Sequence, residues 1–101
     1  MHVLALGTIK KFASENPLSS SSLNDWYAKT TKADWQSPND IGKMFNSCDY
    51  IGNDRYVFNI TGNHYRLVAM IFFAKRAVYI RGILTHAQYD DYNKRGLLIS
   101  L

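Results

Sequence analysis

The chain has 101 residues, 47% of them hydrophobic and 14% aromatic, which is enough apolar side chain for one core and too short a chain for two. Its single cysteine, Cys48, excludes an internal disulfide framework and a cysteine-rich zinc site. The formal net charge of +4 points toward an acidic partner and is unevenly spread. Residues 1–50 balance five lysines against five acids, whereas residues 51–101 set five arginines and two lysines against three aspartates. Every arginine lies in that second half, and arginine is the better bidentate phosphate ligand, so the imbalance favours nucleic acid.

In chain order, His2 to Leu6 can add a short strand. It carries no basic leader and no small-residue cleavage site, so it does not read as a signal peptide. Thr8 is expected to cap a short helix with Ile9, Phe12 and Ala13 on one face, stopped by Asn16-Pro17. After the serine run Ser19 to Ser22, the residues Leu23, Trp26, Tyr27 and Thr30 repeat at helical spacing. A stop near Trp35 follows. Ser37-Pro38-Asn39-Asp40 then resembles a capping box with proline at the first helical position, opening a short helix with Ile41, Met44 and Phe45 inward. Trp26 and Trp35 read as core residues.

The second half reads as strands. Arg55 to Ile60 is rich in β-formers, and Thr61-Gly62-Asn63 supplies turn residues. His64 to Phe73 is apolar on both faces, as a central strand is. Ala74-Lys75-Arg76 makes a tight connection to a third strand, Ala77 to Leu84. Thr85 to Arg95 is polar and tyrosine-rich and reads as a turn and short helix. Gly96 to Leu101 is expected to add an edge strand or a frayed tail. The longest apolar run, Leu67 to Ala74, is too short to cross a bilayer. The expectation is one α+β domain over 1–101, soluble and cytoplasmic, with no membrane contact. Helices occupy about 7–46, antiparallel strands about 54–84, and a turn and helix 85–101. The helices cover one sheet face and leave the other free.

Alternation sorts the strand side chains. Arg66, Val68, Met70 and Phe72 share a face; so do Val57, Asn59 and Thr61, and so do Tyr79 and Arg81. Arg66 is a charge inside the most apolar part of the chain, where it needs a partner or open water. His86, Tyr89, Asp90, Asp91 and Tyr92 are gathered in one segment, with His86 and Tyr89 at i and i+3 on one side if it is helical. His64, His86 and Asp90 have no recognised metal-ligand spacing. Cys48 has no evident histidine partner and reads as a small, partly buried thiol.

Two segments, Tyr56 to Ala69 and Val78 to Asp90, resemble the HigB toxins of bacterial toxin–antitoxin pairs. The resemblance implies a RelE-like fold and an mRNA interferase that acts in the ribosomal A site. In that chemistry the RNA's own 2′-hydroxyl attacks, so no metal or cofactor is required. It implies a HigA-type helix-turn-helix antitoxin as partner, with operator DNA reached only through that antitoxin. Carried over by position, Arg66 is the phosphate-binding arginine. His86 is an acid or base, and Tyr89 or Tyr92 is the C-terminal tyrosine that stacks on a base or assists proton transfer. Arg81 is a second phosphate ligand. His64 and Asn59 are candidate RNA contacts. Asn59 stands where RelE-type toxins carry lysine, which leaves the general base open. Two rival readings remain at this point: a ParE-like gyrase toxin of the same fold, and a non-enzymatic basic nucleic-acid-binding module.

Overall fold

Leu23, Trp26 and Thr30 recur at three- and four-residue spacing, and all three are fully buried. That stripe needs an apolar wall, and a five-stranded sheet supplies it. A computed structural model describes residues 1–101. Its elements are β1 (His2–Leu4), α1 (Leu6–Glu15), α2 (Ser20–Lys32), α3 (Pro38–Met44), β2 (Cys48–Gly52), β3 (Arg55–Ile60), β4 (Tyr65–Phe72), β5 (Ala77–Thr85) and α4 (His86–Lys94). Single 3-10 turns span Pro17–Ser19 and Leu98–Ser100.

The strand order is β1-β5-β4-β3-β2. β2 to β5 form an antiparallel meander, and β1 lies parallel to β5, with Val3 opposite Val78. The sheet is therefore mixed. Helices α1 to α3 cover one face. Trp26, Trp35, Phe58, Leu67, Ala69, Ile71 and Val78 meet there in an apolar core. The ring of Phe58 lies edge-on to Trp26 at 5.4 Å and is stacked near Trp35 at 6.4 Å. Both tryptophans are 1% exposed, as their apolar spacing requires. The alternation expected in β3 and β4 holds: Tyr56, Phe58 and Ile60 face the helices with Leu67, Ala69 and Ile71.

Several local expectations are corrected. Thr8 does not cap α1. The helix begins at Leu6 after Ala5, which turns the chain with a left-handed φ of 70°, so Thr8 lies inside the first turn. Ser37 is the N-cap residue of α3 with Pro38 at its first position, but its hydroxyl makes no capping bond. The Asp40 carboxylate instead accepts from the Gln36 N–H at 2.8 Å. That hydrogen bond holds the Asp40 carboxyl below the usual carboxylate range. β2 was not anticipated; it is a short edge strand, Cys48–Gly52, with no buried face to give it an apolar alternation. The last residues are neither strand nor frayed tail. Leu98 is buried, and the Leu101 side chain lies against Gly82.

The face away from the helices is only partly covered. α4 and the closing turn fold back over it, and Arg55, only 8% exposed, is held under the closing turn. Arg55 donates to the carbonyl oxygens of Asn53 at 2.9 Å and Leu101 at 2.6 Å. The cation that needed shelter is thus Arg55 rather than Arg66. No helix is long and apolar enough to cross a membrane.

Candidate active site

The open face and α4 bring one group of residues together at the end of the sheet nearest the β3–β4 hairpin. Arg66 is the second residue of β4. It lies between Asn59 of β3 and Leu84 of β5 in register. Its Nη1 donates to the Asn63 carbonyl at 2.9 Å and to the Tyr65 carbonyl at 3.3 Å. The hairpin therefore aims the guanidinium. Thr61 and Gly62 make that turn in the left-handed region, with φ of 52° and 63°, and the His64 N–H closes it onto the Thr61 carbonyl at 3.2 Å.

Helix α4 follows β5 with no intervening loop. Thr85 is its cap: the Thr85 hydroxyl accepts from the Gln88 N–H at 3.2 Å, and the Gln88 side chain accepts from the Thr85 N–H at 3.0 Å. This reciprocal box fixes the direction in which the helix leaves the sheet. One turn in, the ring of Tyr89 comes to lie against Arg66, with the guanidinium carbon 5.3 Å from the ring centroid. A flat cation over a π face is an attractive pair, and it keeps the remaining guanidinium N–H groups free for an anion.

Tyr89 is half-buried. Burial raises its phenol above the ordinary value of 10.0; Arg66 pulls the other way, while Asp49 and Asp90 push it up further. The phenol holds its proton at neutral pH and is available as a donor. His86 opens α4 on the same side, and its Nδ1 lies 3.1 Å from the Asp90 carboxylate at i+4. That contact sets which ring nitrogen faces outward. His86 is also tied to the hairpin, because its N–H donates to the His64 carbonyl at 3.0 Å.

The other expected residues are placed as follows. Asn59 is exposed beside the hairpin, its Nδ2 3.4 Å from Asn63 Oδ1. His64 is exposed at the turn next to His86. Tyr92 lies one turn beyond Tyr89 on α4 and is half-buried; the ring under Arg66 is that of Tyr89. Arg81 is set apart. It is the extra residue of a β-bulge between the Ala69–Ile80 and Val68–Gly82 pairs, and its Nε donates to the Leu101 carbonyl at 2.9 Å.

Two acids that act on this group, Asp90 by contact with His86 and Asp49 only through its charge, carried no role in the sequence reading. Asp90 has a usable signal, a carboxylate four residues after a histidine in a helical segment. Asp49 has none, because it reaches the field of Tyr89 only through the pairing of β2 with β3, where it stands opposite Val57. Cys48 takes no part: burial, with Asp49 adding to it, pushes its thiol up to about 12, so it carries almost no thiolate at neutral pH.

A small mixed sheet, helices on one face and a cation–phenol–imidazole group on the other define the class. A family model for HigB toxin, described as the RelE-like toxic component of a toxin–antitoxin system, matches residues 19–92, a span that takes in Arg66, His86 and Tyr89. Over 95 residues the chain is 33% identical to the mRNA interferase toxin HigB of Escherichia coli K12, covering 91% of this chain and 90% of that protein. It is 33% identical over the same length to the mRNA interferase HigB of Shigella flexneri, and 26% identical over 96 residues to that of Escherichia coli O6:H1. The chain belongs to the HigB toxin family.

Proposed function

We propose that the protein is an endoribonuclease, an mRNA interferase, that cuts messenger RNA in the ribosomal A site and is held inactive by a HigA-type antitoxin. The observation that carries this is the Arg66–Tyr89 stack beside the His86–Asp90 pair, in a chain whose relatives are named mRNA interferases. Transesterification needs three services: removal of a proton from the 2′-hydroxyl, neutralisation of charge on the phosphorane, and a proton for the leaving 5′-oxygen. His86, oriented by Asp90, takes the first proton. The 2′-oxygen bonds to phosphorus, and Arg66 holds the equatorial oxygens. The bond from phosphorus to the 5′-oxygen then breaks, and Tyr89, kept protonated by its surroundings, protonates that oxygen. The products are a 2′,3′-cyclic phosphate and a 5′-hydroxyl. Asn59 and His64 flank the hairpin as RNA contacts, and Tyr92 extends the surface along α4. Arg81, occupied by Leu101, lies outside the reacting group. The antitoxin would be the operator-binding partner, and the toxin itself would not read DNA.

The test is mapping of messenger 5′ ends shortly after pulse expression, with His86→Ala as control. New ends inside coding regions, locked to the reading frame and absent in the control, are expected. Growth arrest with intact messenger would replace this reading with gyrase poisoning.

A further inference from the structure

β2 begins only at Cys48, opposite Phe58, so the last two residues of β3, Asn59 and Ile60, have a strand neighbour only on the β4 side. Helix α2 passes behind that gap. The result is a notch of about 430 Å³ in the sheet edge, lined by Ser21, Asp25 and Lys29 of α2, by Phe45, and by Asn59 and Thr61 of the hairpin. Its size is that of sites holding a small organic ligand, about 300–1,000 Å³. The notch is preformed, because Thr61 Oγ1 lies 3.1 Å from Ser22 Oγ and 3.3 Å from the Leu18 carbonyl, which ties the hairpin to α2. It adjoins the reacting group through Asn59, which reaches Asn63, the residue whose carbonyl holds Arg66.

The chemistry of the lining selects among parts of an RNA strand. Lys29 is already paired with Asp25 at 3.0 Å and lies 5.9 Å from the Phe45 ring centroid, so the notch offers no free cation to a phosphate. It offers instead an aromatic ring, a hydroxyl, an amide and, as acceptor, the Asp25 carboxylate oxygen Oδ1, since Oδ2 is the one that holds Lys29. Those groups suit the flat face and polar edge of a base. We propose that the notch is a subsite for one unpaired nucleobase, adjacent to the nucleotide whose phosphate Arg66 holds. A carboxylate acceptor favours a base that presents an amino group, so guanine, adenine and cytosine are accepted over uracil. The proposal rests on the RNA-cleavage reading.

The experiment uses the purified full chain and ribosomes programmed with a messenger pool randomised around the A-site codon, with every cut mapped. Two variants are compared with the parent after their melting curves are shown to match. Asp25→Ala removes the acceptor, and Ser21→Trp fills the notch from an exposed helix position. The parent is expected to avoid uracil at one fixed position beside the cut, and Asp25→Ala to level that preference. Ser21→Trp is expected to raise KM about tenfold with kcat nearly held, the mark of lost uniform binding. An unchanged base distribution and KM in both variants, with the parent still cutting, overturns the subsite alone. Unchanged cutting with lost neutralisation by the antitoxin would assign the notch to a protein partner and likewise overturn it. A parent that cuts no RNA removes the nuclease reading and the subsite together.

Discussion

Arg66 serves the site through shape as well as charge. Its guanidinium lies over the Tyr89 ring while two carbonyls hold its Nη1. Arg66→Ala is expected to lower the cleavage rate about 10²–10³-fold. Arg66→Lys keeps the charge but not the planar fork, so it restores only part of that loss. Single-turnover cleavage of both variants checks this. Composition singled out Arg66 as a strand arginine and Thr85 to Arg95 as a tyrosine-rich segment, but it left open which tyrosine belongs with Arg66; the ring that Arg66 lies over is that of Tyr89. Asp49 was not legible, since its contribution exists only once two strands are paired. Cys48 gives a pH dependence of known sign. Its folded pKa is raised from 9.0 to about 12, so its share of stability is full below about pH 9 and is lost as pH climbs toward 12. Cys48→Ala should flatten that part of the alkaline decline in denaturant midpoints.

At the scale of elements, α4 is the least anchored part of the site. It buries no residue of its own and is held by its cap and by Tyr89. Thr85→Ala removes half of the capping box and is expected to cost about 1 kcal/mol of stability. Activity should fall further than stability does, because the helix carries both His86 and Tyr89; parallel melting and cleavage measurements separate the two. Strands β3 to β5 could be read within a residue and α2 within three, its stop being expected near Trp35 and falling at Lys32. β2 could not, because Cys48 to Gly52 is an edge strand with only half-buried or exposed side chains. The start of α1 depends on the left-handed turn at Ala5, a conformation that alanine does not advertise.

Across the whole molecule, the division of labour follows the two faces of the sheet. One is sealed by the helices, and an aromatic cluster of Trp26, Trp35, Phe45 and Phe58 lies within its packing. The other carries the charges and is covered only by α4 and the closing turn. The helices alone have no wall to bury their stripes against, so the domain is cooperative rather than modular.

The parallel pairing of β1 with β5 also governs the order of events during synthesis. Val3 waits for Val78, and α1 and α2 wait for the strands that follow them. A nascent chain that has emerged only as far as β4 has helices without a platform and no histidine–tyrosine helix at all. The ribosome making this protein is thus not exposed to a working toxin until almost the last residues appear. Chains stopped at Arg76 should be rapidly degraded and harmless on expression, and immunoblots with growth curves would reveal any exception.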